Sequence, residues 1–262
     1  MLEGKVVLIS SIAPGLGTRL AIEAALQGAQ VIGTQRPGER LQAALAQLRQ
    51  ESLAKPVVCY PADPSSANEC RWLIEQCLHR YGQIDALIAG AGSDLGVLGA
   101  IESANLSSWR AQMEHNFFTI LTLIQAVLPC MKERRAGRII CLNTTATRKP
   151  FSGFAGVAAS KAALACATGY LAHECGKWGI GVNSAYLGWV WGPTTASGIT
   201  GLAQELGTSV SELKSTITEN IPLGYIPSEA DCARAILLLL AQSATVVTGA
   251  SLDVNGGEFI NL

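Results

Sequence analysis

No stretch of this sequence stays apolar for the ~18–20 residues that a membrane-spanning helix needs. The longest candidates are short, such as Ala235–Ala241. The opening MLEGKVVLIS does not read as a signal peptide, because its apolar run is only about five residues and Glu3 interrupts it. Charge is scarce: 15% of residues carry it, and 19 basic side chains stand against 20 acidic ones for a formal charge of −1. That leaves no basic field to hold nucleic acid. Histidine is rarer still. His79, His115 and His173 stand at no metal-ligand spacing, and none of the eight cysteines forms a Cys-x-x-Cys pair. No metal site and no disulfide framework is therefore expected. Cys59, Cys70, Cys77, Cys130, Cys141, Cys166, Cys175 and Cys232 read as reduced thiols of a cytoplasmic protein. A hydrophobic share of 49% excludes disorder. A chain of 262 residues buries enough surface to need no staples.

What is present is an alternation. Short, almost continuously apolar runs occupy Val6–Ser10, Gln30–Thr34, Pro56–Tyr60, Ile84–Ala89, Arg138–Leu142, Gly181–Tyr186 and Ser251–Val254. Runs of this kind suit strands covered on both faces, as in a parallel sheet. Helical patterns fill 18–28, 39–52, 67–81, 107–135, 153–178 and 228–242. Ser66, with Glu69 three residues on, marks a capping box, and Pro129 is expected to bend or break the fourth helix. The expectation is an α/β chain, 1–262 as one domain, with a doubly wound parallel sheet of about seven strands between two helical layers. Ligands then bind beyond the carboxyl ends of the strands, in the loops at 10–17, 35–38, 61–65, 89–99, 143–156 and 187–198. The long segment 187–227 reads as an inserted lid or pocket wall.

The first of those loops is Ser10-Ser11-Ile12-Ala13-Pro14-Gly15-Leu16-Gly17. Gly15 and Gly17 let the backbone approach a pyrophosphate, and the following helix start offers N–H groups and a positive dipole end. Many strand–helix turns carry glycine merely for packing, so this loop alone is a weak signal. Its companions are Asp63 after the third strand, Ala89-Gly90-Ala91-Gly92 after the fourth, and Asn116 in the long fourth helix. Further on come Ser160-Lys161-Ala162-Ala163-Leu164, Val182-Asn183-Ser184, Val247-Thr248-Gly249 and Val254-Asn255-Gly256-Gly257. In this order, over about residues 2–258, the chain resembles the classical short-chain dehydrogenase/reductase family.

The resemblance implies a Rossmann-type fold and an oxidoreductase that binds NAD or NADP. Gly15, Leu16 and Gly17 would cradle the pyrophosphate, with Ser11 at the family's first glycine. Asp63 would meet the adenine, and Ala89 and Gly90 would line the adenosine side. At the end of strand two an acid favours NAD and an arginine suits a 2′-phosphate. Gln35-Arg36 stands there, so Arg36 points to NADP, with NAD as the alternative. The family's catalytic set is Asn, Ser and a Tyr-x-x-x-Lys pair, in which Lys lowers the Tyr pKa and Tyr moves the proton. Lys161 and Asn116 match, and Thr144 takes the Ser position. Val157 stands where the Tyr is expected. A valine can neither donate nor accept a proton.

Tyr186, at the end of strand six, is the nearest candidate for a replacement acid, or else a packed core residue. Arg148 and Lys149 either meet an anionic substrate or stand in a solvated loop. Trp189 and Trp191 are either pocket wall or core. Three functions follow. One is an NADP-dependent oxidoreductase of a small-molecule carbonyl or alcohol with an altered site. A second is a catalytically silent nucleotide-binding member, and a third a non-redox lyase or dehalogenase-like enzyme. The resemblance also implies a homodimer or homotetramer formed through 107–135, 153–178 and the C-terminal strand.

Overall fold

A computed structural model describes residues 1–90 and 99–260, apart from the side chains of Glu205 and Leu206. Its first half runs β1 (Val6–Ser10), α1 (Leu16–Leu26), β2 (Gln30–Gln35), α2 (Glu39–Arg49), β3 (Val58–Pro61), α3 (Ala67–Tyr81) and β4 (Ala86–Ala89). The second half runs α4 (Leu106–Met113), α5 (Thr119–Arg134), β5 (Gly137–Thr144), α6 (Ala155–Cys175), β6 (Ile180–Leu187), α7 (Pro193–Leu206), α8 (Val210–Glu219), α9 (Glu229–Leu237) and β7 (Ser251–Val254).

Among the described residues the strands form one sheet, β3-β2-β1-β4-β5-β6-β7, parallel at every pairing. Seven apolar runs therefore become seven strands. They lie between two apolar layers. Leu20 and Ile22 of α1 and Ile236 and Leu237 of α9 pack with Ile9 and Ile140 on one face. Leu73, Leu123, Val127 and Leu164 from α3, α5 and α6 pack with Leu8, Leu87 and Val182 on the other. This double cover is why the strands lack polar alternation.

The chain reverses its direction of travel across the sheet between β1 and β4. In open α/β sheets the ligand crevice lies at such a point, outside the carboxyl ends. The Gly90 N–H donates to Ser10 Oγ at 2.9 Å and ties the two strand ends together there. Gly33 on β2 leaves room for the first loop. A methyl built on it would come within 2.5 Å of Ile12 Cδ1, so Ile12 folds down onto the sheet because position 33 has no side chain.

Several boundaries differ from the sequence reading. The helix expected over 107–135 is two helices joined by a π turn at Glu114–Phe118. Pro129 does not break α5, which continues to Arg134. Ser66 caps α3 by accepting from the Glu69 N–H, but the Glu69 carboxylate accepts from the Asp63 N–H, so the capping box is half formed. Segment 187–227 is not irregular. It carries α7 and α8, whose Ile199 and Ile217 pack with Ile221, Ile226, Trp189 and Trp191 into a small apolar cluster. The two tryptophans are half-buried against this cluster, and Trp191 also lines a surface cavity.

Candidate active site

The first loop ends on Gly15, the N-cap of α1, at φ 111°. No side chain caps this helix and no acid lies in its first turn. The Thr18 N–H donates to the Ala13 carbonyl at 3.1 Å and the Arg19 N–H to the Gly15 carbonyl at 3.0 Å. The N–H groups of Leu16 and Gly17 remain as the helix's unpaired start, which is an anion seat by charge and geometry. Thr18 Oγ1 closes the turn from beneath by donating to the Gly15 carbonyl at 3.0 Å. Ser11 sits at φ 57°. The backbone there is left-handed, a conformation that costs a non-glycine residue about 1–2 kcal/mol.

At the ends of β2 and β3, Arg36 Nε and Asp63 Oδ1 form an ion pair at 2.9 Å. Burial raises the Asp63 carboxyl. The N–H and hydroxyl of Ser65, together with Arg36, outweigh that and hold it below its usual range. The sequence reading gave these two residues separate contacts on the nucleotide, and the fold brings them together. The Arg36 side chain remains 45% exposed, so the guanidinium can still meet a further anion. Ala89 ends β4 in the core, and Gly90 follows at φ 89°. Ala91 and Gly92 lie outside the described residues.

At the other end of the crevice, Lys161 is 3% exposed and its Nζ donates to the Leu142 carbonyl at 2.9 Å. Burial pushes its pKa down to about 8, with the Cys141 thiol pulling the other way. A methyl on Gly90 would lie 3.3 Å from Nζ, which places the ammonium at the end of β4. Asn116 is buried in the π turn and donates to Gln112 Oε1 at 2.7 Å and Ser160 Oγ at 3.2 Å. Its Oδ1 has no hydrogen-bond partner among the described residues. Ser160 in turn donates to the Val157 carbonyl at 2.8 Å. Val157 itself is 4% exposed, one turn before Lys161 on α6. Thr144 ends β5, and its hydroxyl accepts from the Ala146 N–H at 3.3 Å.

Tyr186 is buried, and the Arg148 guanidinium lies 3.5 Å from its ring centroid. Arg148 is ion-paired with Asp253, which faces Tyr186 across the β6–β7 pairing. Arg148 is thus held inside the protein and is not a solvated loop charge. Lys149 lies 5.6 Å from the Phe151 ring centroid.

The family model described as short chain dehydrogenase matches residues 5–203. The chain belongs to the short-chain dehydrogenase family. It is 28% identical to the 3-oxoacyl-(acyl-carrier-protein) reductase FabG of Escherichia coli, covering 98% of each chain. It is 27% identical to the cyclohexanol dehydrogenase of a Rhodococcus species, covering 98% of this chain and 96% of that one. Among solved structures, actinorhodin polyketide ketoreductase with NADPH superposes with a TM-score of 0.87 at 27% identity, covering 98% of this chain and 99% of that one. Levodione reductase shares the fold, with a TM-score of 0.89 at 22% identity and 98% of each chain covered.

In this member of the short-chain dehydrogenase family the fold brings two groups of the expected residues toward the carboxyl ends of the strands. One comprises Ser11, Gly15, Leu16 and Gly17 with the Arg36–Asp63 pair. The other comprises Gly90, Lys161 and Asn116. Tyr186 and its Arg148 cover form a separate cluster toward β7. Two carboxyls escaped the sequence reading. Glu258 is 8% exposed, and its Oε2 lies 3.4 Å from the Trp189 N–H, with burial raising its pKa against Lys149 and that N–H. Glu229 sits beside the first loop. Neither carries a local signal: one follows Asn255-Gly256-Gly257 and the other opens an ordinary helix, and only the fold brings them to the crevice.

Proposed function

We propose that this chain is an NAD(P)H-dependent oxidoreductase of a small carbonyl or alcohol, favouring NADPH, with its proton donor displaced from position 157. The observation that carries this is the uncapped start of α1 at Gly15, with the Arg36–Asp63 pair at the ends of β2 and β3 and buried Lys161 at the end of β4. The donors suit a dinucleotide. The N–H groups of Leu16 and Gly17 match a pyrophosphate, and a half-exposed Arg36 matches a 2′-phosphate. The relatives named for carbonyl and alcohol substrates, one of them solved with NADPH, support the same reading.

A dinucleotide held by the Leu16 and Gly17 N–H groups and by Arg36 would supply the hydride that the carbonyl carbon takes up. The chain then has to hold the substrate oxygen and deliver one proton to it, which completes the alcohol. The Thr144 hydroxyl orients that oxygen. Lys161 keeps its proton up to about pH 8, close to the range in which a general acid works best. Asn116, fixed by Gln112 and Ser160, presents an unpaired Oδ1 within the same buried network. Residues 187–227, with α7 and α8, act as the lid.

A second reading, a member that binds nucleotide without turnover, is favoured by the burial of Val157 where a phenol would stand. Titration with NADPH and NADH, followed by a panel of ketones and aldehydes, separates the two. NADPH binds more tightly than NADH, and turnover is slow. Val157→Tyr raises the rate by about 10²-fold or more, the usual worth of a placed general acid. Failure of either dinucleotide to bind overturns the oxidoreductase reading. An inert Val157→Tyr that still binds NADPH favours the silent one.

A further inference from the structure

Glu229 is the first residue of α9 and lies beside the start of α1. The ion pair of Arg234 with Glu23 at 3.2 Å, one turn below Arg19 and Glu229, shows that the two helices run side by side in the same direction. The Glu229 backbone is fixed. Its N–H donates to the Trp191 carbonyl at 3.2 Å, and the Trp191 N–H donates to the Pro227 carbonyl at 2.7 Å. Its side chain crosses the gap between these elements. A methyl built on Gly192 would come within 1.7 Å of Oε1, and one on Gly15 within 3.4 Å. The carboxyl thus occupies the space over Gly192 and reaches the glycine that opens α1. It borders a surface cavity of about 380 Å³, lined also by Arg19, Trp191, Pro193 and Ala196.

The surrounding charges are few. Arg19 faces the carboxyl from α1 and favours its ionised form, while burial disfavours it and leaves the pKa raised. From α8, Lys214 stacks on the Trp191 ring at 4.0 Å. On α9, Asp231 is held by Ser228 and Arg234, and Arg234 also meets Glu23. The helix that α1 presents to an anion has no acid of its own in its first turn. Glu229, from another helix, places a carboxylate oxygen 3.4 Å from where a methyl on Gly15 would stand.

We propose that Glu229 is an affinity-determining residue of the nucleotide seat: its carboxylate lies beside the uncapped α1 N-terminus, against the glycine that opens it, and its negative charge weakens the binding of a dinucleotide there. This rests on the reading that the first loop seats a pyrophosphate. Two like charges a few ångströms apart in a partly desolvated site repel strongly. The bound pyrophosphate therefore drives Glu229 either to take up a proton or to swing into the adjoining cavity. Dinucleotide affinity rises as pH falls through the raised Glu229 pKa.

The test uses the full chain and Glu229→Gln, which keeps the shape and removes the charge, with Glu75→Gln on α3 as a distant charge-matched control. Dissociation constants for NADPH and for inorganic pyrophosphate are measured by calorimetry near pH 8 and near pH 5.5. Glu229→Gln tightens both ligands about tenfold near pH 8, and the gap narrows as pH falls toward the raised Glu229 pKa, as expected of a Coulombic term removed by protonation. Glu75→Gln matches the wild type throughout. NADPH binding equally tightly to wild type and Glu229→Gln near pH 8 overturns the proposal and leaves the cofactor reading standing. Tightened pyrophosphate binding with no NADPH binding to either protein upholds the proposal and overturns the cofactor reading. If neither ligand binds either protein, both fall.

Discussion

A lysine that is 3% exposed and donates to the Leu142 carbonyl leaves two of its three N–H groups without a partner in the described network. Its folded pKa of about 8 lies below the ordinary 10.5, because burial disfavours the charged form. The unfolded chain therefore binds this proton more tightly. Stability from this group is full above the unfolded value and is lost as pH falls through the folded one. Lys161→Met is accordingly more stable than the wild type near pH 7, by about 1–3 kcal/mol in urea denaturation, and the gap narrows toward about pH 10. A gap independent of pH would contradict the burial of an ionised Lys161. A stability cost kept at a single residue is a mark of function, and the same reasoning applies to Ser11, held at φ 57° in the loop that faces the nucleotide seat.

Helix starts decide how the site's walls are held. α9 opens with a complete capping box, in which Ser228 accepts from the Asp231 N–H and Asp231 accepts from the Ser228 N–H. α3 has only half of one, since Glu69 turns to Asp63 instead. Ser228→Ala is expected to lower stability by about 1–2 kcal/mol and Ser66→Ala by less, measured as shifts in urea midpoint at unchanged slope. Equal losses would mean that the reciprocal half of the box contributes nothing. The π turn between α4 and α5 acts on the site more directly. One extra residue in the turn at 114–118 brings Asn116 inward to Ser160, 44 positions away. The apolar periodicity of 107–135 runs on through it, so the sequence pattern reads as one helix and hides the turn.

At the scale of the whole molecule, the outer face of α6 is open and made of small residues. Ala159, Ala162, Cys166 and Gly169 are exposed there, with Tyr170 beside them at 67%. Leu106 and Phe118 are exposed on the neighbouring α4–α5 stretch. Small side chains let a second helix approach closely, and the family resemblance implies association through these two segments. Light scattering on the purified chain should give a dimer or tetramer, and Tyr170→Glu should shift it toward monomer. A monomer at every concentration would place the partner surface elsewhere.

Seven short apolar runs separated by helical patterns determine the parallel sheet on their own, because strands covered on both faces must be apolar throughout. The glycine loop was a weak signal alone, and Lys161 and Val157 took on meaning only through the family resemblance, in which each stands at a local spacing. The tertiary structure decided what depends on distant chain segments meeting. It pairs Arg36 with Asp63 and lays Arg148 over Tyr186. It also carries Glu229, more than 200 positions from Gly15, to the start of α1. Charge and desolvation act through space, and only the packed sheet and its helices set which charges become neighbours.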